Sequence, residues 1–256
     1  MSGVAQRKEP TFSAVYTIAE AACLCGLSQA QVRRWIRSSS SVAHAPRRVR
    51  GTVILDFLVL IELRYVKAFA EAGVSLHLLR AAHEQAAEML RVDHPFATRK
   101  FFTDGYTILT RIAEGALLEV VADRRVFSRI VNRYLGGEDG LDFDGSDVAA
   151  RWWPMGKKRL VVIDPKRSFG QPIVCTEGVP TAVLYKAYLA ENFSAHNGKT
   201  RNGAKPSSVV RFGQTTFEPK HPLDKAAIAR VANWYVVEER SVRTAIEYES
   251  DFLAIA

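Results

Sequence analysis

The sequence predicts an α+β protein, with helices gathered at both ends and a small antiparallel β-sheet between them. Three observations carry that prediction. Near the N-terminus, Thr17-x-x-Glu20 and Ser28-x-x-Gln31 stand on either side of Gly26. Between residues 94 and 163, short runs of β-branched and aromatic residues are separated by turn residues. From Asp164 onward, apolar residues return to helical spacing around a long polar insert.

The first segment reads Y-T-I-A-E-A-A-C-L-C-G-L-S-Q-A-Q-V-R-R-W-I-R over residues 16–37. Each T-x-x-E or S-x-x-Q pattern is a capping box, in which a hydroxyl and a longer polar side chain satisfy the free amides that open a helix. Gly26 can take the left-handed conformation that ends one. Two short helices joined by a tight turn follow, with Ile18, Ala22 and Cys25 inward on the first and Val32 and Ile36 inward on the second. Ser28 opens the second helix, and Gln29, Gln31, Arg33, Arg34 and Arg37 are left outside. Amides and guanidinium groups are the side chains that bond base edges and phosphates. The pattern is that of a helix-turn-helix with a basic reading helix; the plainer alternative is a helical hairpin with a solvated face.

A polar loop leads to H-A-P-R-R-V-R-G-T-V-I-L, where Arg47, Arg48 and Arg50 precede Gly51 and a β-branched run. A basic hairpin here has the place of a wing, its arginines lying along phosphates or in a minor groove. No acidic residue occurs between Glu20 and Asp56, so this positive field is locally unopposed. Asp56 then caps a strongly apolar helix closed by Gly73, and a second helix runs from about Leu76 to Arg91. The stripe Phe57, Ile61, Tyr65, Phe69 and its partner Leu79, Ala82, Ala86, Met89 suit either core packing or a dimer seam.

Residues 1–15 are expected to be a flexible arm. The stretch 16–93 forms the N-terminal unit, and 94–163 an antiparallel β region. There Thr98–Ile112 reads as a hairpin about Asp104-Gly105. Leu117–Val121 reads as a strand and Ser128–Leu135 as a short helix. Leu141–Phe143, Ala150–Trp153 and Arg159–Ile163 are further strands, with one of Trp152 and Trp153 expected inside and the other at a surface. Residues 164–256 form the C-terminal helical, helix-turn-helix-like unit. It holds a helix over 179–191, a basic insert over 192–223 with a hairpin at Val209–Glu218, a helix from Asp224, a break at Val236-Val237 and a last helix over Glu238–Tyr248. The insert's residues 194–208 offer almost no apolar anchor and are expected to be mobile.

The 256 residues carry a formal charge of +8, which favours an anionic partner. Three cysteines make no disulfide framework, and Cys23 and Cys25 are expected to be buried small hydrophobes. No apolar signal core or bilayer-length stretch occurs, so the expectation is a cytoplasmic protein with no membrane partner. The acidic run Glu138, Asp139, Asp142, Asp144, Asp147 lacks the closing glutamate of a calcium loop and reads as a solvated turn. No nucleophile elbow, phosphate loop or paired-histidine metal motif is present. The expectation is therefore no catalytic residue, no metal and no cofactor.

The order Y-T-I-A-E-A-A, turn, V-R-R-W-I-R, basic wing and a long apolar helix ending A-G-V-S-L resembles a MerR-like winged helix-turn-helix over residues 16–91. That motif is shared with excisionases and many repressors, and implies binding of double-stranded DNA. The C-terminal S-F-G-Q-P-I-V, G-V-P-T and V-A-N-W-Y-V-V-E-E-R-S-V-R-T-A-I-E-Y-E are similar to the small C-terminal domain of VapB-type antitoxins, over residues 164–249 apart from the insert. In that family the first helix is followed closely by the next pair, whereas here 192–223 intervene. Head, sheet and tail together resemble a two-domain VapB antitoxin of a toxin–antitoxin module. The resemblance implies a homodimer that represses its own operon and neutralises a PIN-like ribonuclease toxin by contact. The carboxylates of the last helix, Glu238, Glu239, Glu247 and Glu249, set beside Arg240 and Arg243, would suit the basic RNA-binding surface of such a toxin. Two rivals stay open: a MerR-like regulator sensing a small ligand through its C-terminal half, and a nuclease using the acidic stretch.

Overall fold

A computed structural model describes residues 14–37, 47–112, 140–197 and 223–253. Most of the expected arm, the strand at 117–121, the helix at 128–135 and the hairpin at 209–218 lie outside these residues.

The chain opens with β1 (Val15–Thr17), α1 (Ile18–Cys25) and α2 (Gln29–Arg37), followed by a hairpin of β2 (Arg47–Val49) and β3 (Thr52–Asp56). Two long helices, α3 (Phe57–Glu71) and α4 (Leu76–Leu90), lead through a short 3-10 turn to α5 (Arg99–Ile112). Four short strands follow: β4 (Leu141–Phe143), β5 (Ala149–Trp152), β6 (Val161–Ile163) and β7 (Pro172–Val174). The described chain ends in α6 (Thr181–Asn197), α7 (Lys225–Tyr235) and α8 (Glu239–Leu253). The protein is thus α+β with two antiparallel sheets, ordered β1-β3-β2 and β4-β5-β6-β7. No described helix is long and apolar enough to cross a membrane.

The helix α3 is the centre of the larger core. Phe57, Leu60, Ile61, Leu63, Tyr65 and Phe69 are all buried on it, so it is apolar nearly all round, as a helix must be when neighbours cover every side. Its Asp56 cap accepts from the Val59 amide at 2.9 Å. The stripe on α3 and its counterpart Leu79, Ala82 and Ala86 on α4 face this core, while Met89 is exposed. Core packing, not a dimer seam, accounts for these side chains.

Three expectations are corrected. Thr98–Ile112 is not a hairpin: Asp104-Gly105 lies within α5. Thr98 Oγ1 accepts from the Phe101 amide at 3.2 Å, and Phe101, Ile108 and Leu109 enter the same core as Tyr65 and Phe96. Burial at i, i+7 and i+8 outweighs the turn preference of Asp-Gly, which is worth only about 1 kcal/mol in a helix. The second sheet does not stop at Ile163, because β7 adds to β6 with Val161 opposite Val174 and Ile163 opposite Pro172. Trp152 and Trp153 are both buried, the first in the main core and the second in a small cluster with Val162 and Ile173 on the other face. Helix α3 meets β5, and α8 meets β6 and β7.

The helices α6, α7 and α8 pack on one another around Leu184, Tyr188, Ile228, Val231, Val242 and Ile246. Residues 192–197, expected in the insert, belong to α6. The N-terminal strand meets the turn between β6 and β7, where the buried Tyr16 hydroxyl donates to the Gly170 carbonyl at 2.9 Å. Gly170 has φ +76°, and a Cβ there would collide with Ala14 and the Tyr16 hydroxyl. Glycine is therefore demanded twice, by conformation and by space. Ala14 is buried and Val15 lies in β1, so these two residues of the expected arm belong to the fold.

Candidate nucleic-acid interface

The α1–α2 segment forms as its local chemistry dictates. The Glu20 amide donates to Thr17 Oγ1 at 3.2 Å, and the Thr17 amide to Glu20 Oε2 at 2.7 Å. Gly26 has φ 62°, and its amide reaches the Ala22 and Cys23 carbonyls. The second box is equally complete, with Gln31 N to Ser28 Oγ at 3.2 Å and Ser28 N to Gln31 Oε1 at 2.8 Å. Val32, Trp35 and Ile36 are the buried face of α2. Cys25 is buried as expected, whereas Cys23 is exposed because it falls on the other side of α1.

The support beneath α2 was invisible to the sequence. Trp35 meets the edge of His83 with centroids 5.7 Å apart and stacks on Phe96 at 6.5 Å. His83 Nε2 is 2.7 Å from Glu62 Oε1, and His94 Nδ1 is 3.2 Å from Glu62 Oε2. Glu62 is wholly buried, and a buried carboxylate needs such partners. Burial disfavours the charged His94 ring, but its bond to Glu62 and the charges of Glu62, Asp56 and Asp93 outweigh that and raise its pKa. The guanidinium of Arg80 on α4 bonds the Arg34 carbonyl, holding the last turn of α2. A lone Arg, Glu or His on a helical stripe carries no signal that would have assigned these roles.

The outer face of α2 sorts the expected contacts. Ser28 and Gln31 are exposed but committed to the capping box. Arg33 Nη2 donates to Gln29 Oε1 at 3.0 Å, one turn apart. Arg34 and Arg37 are exposed, and among the described residues no carboxylate pairs with any of the three arginines. In the hairpin, Val49 faces Thr52 and the tip is Arg50-Gly51, with φ 48° and 81°. Two positive φ values are those of a type I′ turn, which matches the strand twist. Arg48 and Arg50 are exposed; the Arg47 side chain lies outside the described residues. The strand β3 pairs with β1 on its other edge and packs against α1, so helix pair and hairpin belong to one unit.

The C-terminal residues are arranged differently. Glu238 pairs with Arg240 at 2.5 Å and Glu239 with Arg243 at 2.7 Å. Glu247 pairs with Arg159 beside β6, and Glu249 accepts from Thr181 Oγ1 at 2.5 Å. Burial raises the Glu249 carboxyl above its ordinary value. The six residues therefore do not make one free acidic face; two of the carboxylates hold α8 to the sheet and to α6. At the turn between α7 and α8 two apolar side chains are also exposed, Trp234 at 62% and Val236 at 87%.

The acidic run has structural partners too. Asp142 meets Lys157 at 2.8 Å and the Trp153 indole at 3.0 Å, Asp144 accepts from the Ser146 and Val148 amides, and Asp147 meets Arg99 at 2.7 Å. Glu138 and Asp139 lie outside the described residues. Among the described residues no group of three or more His, Cys, Asp or Glu is arranged to hold a metal ion.

No family model matches the chain. A curated protein of Mycobacterium tuberculosis (strain ATCC 25618 / H37Rv), provisionally named antitoxin VapB45, is 24% identical over 240 residues, which cover 83% of this chain and 94% of that protein. The X-ray crystal structure of Rv2018 from Mycobacterium tuberculosis superposes with a TM-score of 0.62 at 24% identity, over 90% of this chain and 96% of the other. The chain thus shares the mixed helix-and-sheet fold of Rv2018 and a distant sequence likeness to VapB45.

Proposed function

We propose that this chain is a DNA-binding antitoxin of a toxin–antitoxin module, without enzymatic activity of its own. The observation that carries the DNA half is the exposed Arg34 and Arg37 on α2, which no carboxylate among the described residues pairs with, accompanied by Arg48 and Arg50 on the adjacent hairpin. In this reading the head is a MerR-like winged helix-turn-helix. Arg34 and Arg37 contact bases and phosphates, Arg33 follows if it releases Gln29, and the hairpin arginines lie on the backbone. Ser28 and Gln31 act by holding the helix start.

The toxin half rests on the distant likeness to VapB45. A homodimer binds a two-fold operator upstream of its own gene, and the C-terminal helices bind a PIN-like ribonuclease toxin. Fluorescence anisotropy with the full chain and duplexes from upstream of its reading frame tests the first claim. Specific binding should be tight and fall steeply with salt. Growth rescue on co-expression with the product of a neighbouring gene tests the second. Binding no stronger to those duplexes than to random ones would overturn the DNA assignment, and absence of rescue the antitoxin assignment.

A further inference from the structure

A proton-binding cluster is buried directly beneath α2. Glu62 lies wholly inside α3 among side chains that carry no charge, Leu60, Ile61, Leu63, Tyr65 and Val66. Taking a carboxylate out of water is costly, and an apolar side chain of similar volume often serves stability as well or better. Core packing alone therefore gives no reason for a glutamate here. Its two oxygens are met by histidines from different segments, Oε1 by His83 Nε2 of α4 at 2.7 Å and Oε2 by His94 Nδ1 at 3.2 Å. His83 in turn meets the edge of Trp35, with centroids 5.7 Å apart. Phe96, two residues after His94, packs against both rings, at 5.0 Å from His83 and 6.5 Å from Trp35. Trp35 belongs to the buried face of α2, and its indole N–H has no acceptor among the described residues. Ring packing is what locates this side chain.

The charges acting on His94 are those of Glu62, of Asp93 beside it in the chain, and of Asp56 at the start of α3, whose Oδ2 lies 4.0 Å from Nε2. The other elements packed here bring aromatic rings to the cluster: Trp35 from α2, Phe96 from the 3-10 turn, and Phe101 from α5 at 4.6 Å from Phe96. On α4, Arg80 is turned to the Arg34 carbonyl and Glu84 is exposed. On α5, Arg99 and Lys100 are exposed, the former paired with Asp147.

We infer that the His94–Glu62–His83 cluster is a proton-linked support for the reading helix, holding Trp35 and α2 in place while His94 is charged and loosening them as it loses its proton. The inference rests on the DNA reading of α2. Loss of that proton takes a positive charge from beside a buried carboxylate and raises the cost of keeping it there. A shift of Glu62 carries His83 with it, and so the edge against which Trp35 rests. The fold raises the His94 pKa above 6.5, so the support is full below that value and is lost as pH rises through the folded pKa. The outward cations of α2 and the hairpin are arginines, which keep their charge throughout this range. The DNA-facing side chains therefore add no step of their own.

Two measurements on the full chain test it, the first without DNA. In proton–nitrogen correlation spectra, the Trp35 indole resonance, identified by its absence from Trp35→Phe, should move with the same midpoint as the His94 ring protons between about pH 6 and about pH 8.5. A Trp35 resonance that stays still while His94 titrates overturns the inference, and this comparison is made on the parent chain. In anisotropy titrations at fixed salt, affinity for the specific duplex should fall at least about threefold over the same range, with a random duplex little changed. His94→Gln and Glu62→Gln should abolish that step, whereas His77→Gln, at an exposed histidine of α4, should keep it. Specific affinity that is level with pH, or a step that survives in folded His94→Gln, also overturns the inference. Movement of Trp35 with His94 in a chain that binds no duplex specifically upholds the support beneath α2 and overturns the DNA reading alone.

Discussion

Both ends of the chain carry two helices joined across a residue in the left-handed conformation, yet the two pairs differ in every detail. At the N-terminal turn that residue is Gly26; at the C-terminal turn it is Val236, with φ 53°. A β-branched residue there is strained, so the packing of α7 and α8 around Ile228, Val231 and Val242 must hold it. The start of α2 is capped by its own Ser28 and Gln31. The start of α8 is served from outside, by Glu177 on the β7–α6 turn, which accepts from the Ser241 hydroxyl at 2.8 Å and the Glu238 amide at 3.3 Å. The arginines of α2 meet no carboxylate among the described residues, whereas those of α8 each have a glutamate. Similar backbones thus present a free cationic face at one end and a neutralised one at the other.

The sharpest test of that contrast is charge removal at each end. Replacing Arg34 and Arg37 together by Ala should weaken specific DNA binding by about 1–3 kcal/mol for each side chain that reads a base. Replacing Arg240 and Arg243 together should leave it unchanged. Anisotropy titrations at one fixed salt concentration check both, and an equal loss from the two pairs would erase the distinction.

Exchanging the turn residues comes next. Gly26→Val should destabilise the fold by about 1–2 kcal/mol, the penalty for a side chain in the left-handed region. Val236→Gly should be neutral or stabilising by less than about 1 kcal/mol, because the greater chain entropy of glycine offsets part of the relief. Urea denaturation with unchanged slope measures both.

Removing the caps should cost less. Ser28→Ala is expected to lower stability by about 1 kcal/mol, without changing base preference if Ser28 only holds the helix. Glu177→Gln should also destabilise, since it removes the negative charge at the start of α8. Thermal denaturation of the two variants, with DNA titration of the first, reads these effects.

The smallest expected effect is on pH dependence. The pKa of His94 is raised in the fold above its ordinary 6.5, so its contribution is full below that value and is lost as pH rises through the folded pKa. Burial opposes the Glu177 charge, but bonds from Thr176, Ser241 and the Glu238 backbone outweigh it and hold its pKa below 4.5. That contribution is full above 4.5 and is lost as pH falls, with the raised Glu249 working in the opposite sense. His94→Gln should flatten the fall in Tm above pH 6.5, and Glu177→Gln should alter only the acid side.

The structure also separates what residue order alone determined from what the assembled chain decided. The two capping boxes, Gly26, the Asp56 cap and the Arg50-Gly51 turn bond within four residues of themselves, so their geometry was legible in the sequence. The exposed face of α2 was legible for the same reason, through the spacing of Val32 and Ile36. Asp104-Gly105 misled, because its local preference is small beside the burial of Phe101, Ile108 and Leu109. The pairing of β7 with β6, the bond from Tyr16 to Gly170 and the bond from Arg80 to Arg34 join residues far apart in the chain, and no local pattern encodes them. The pairing of Glu247 with Arg159 is of the same kind, and it turned an apparently free carboxylate into a structural one. Local hydrogen bonding and periodicity therefore determined the helix starts and their outward charges. Which charges remain free and which helices are central were decided only when distant segments competed for the same core.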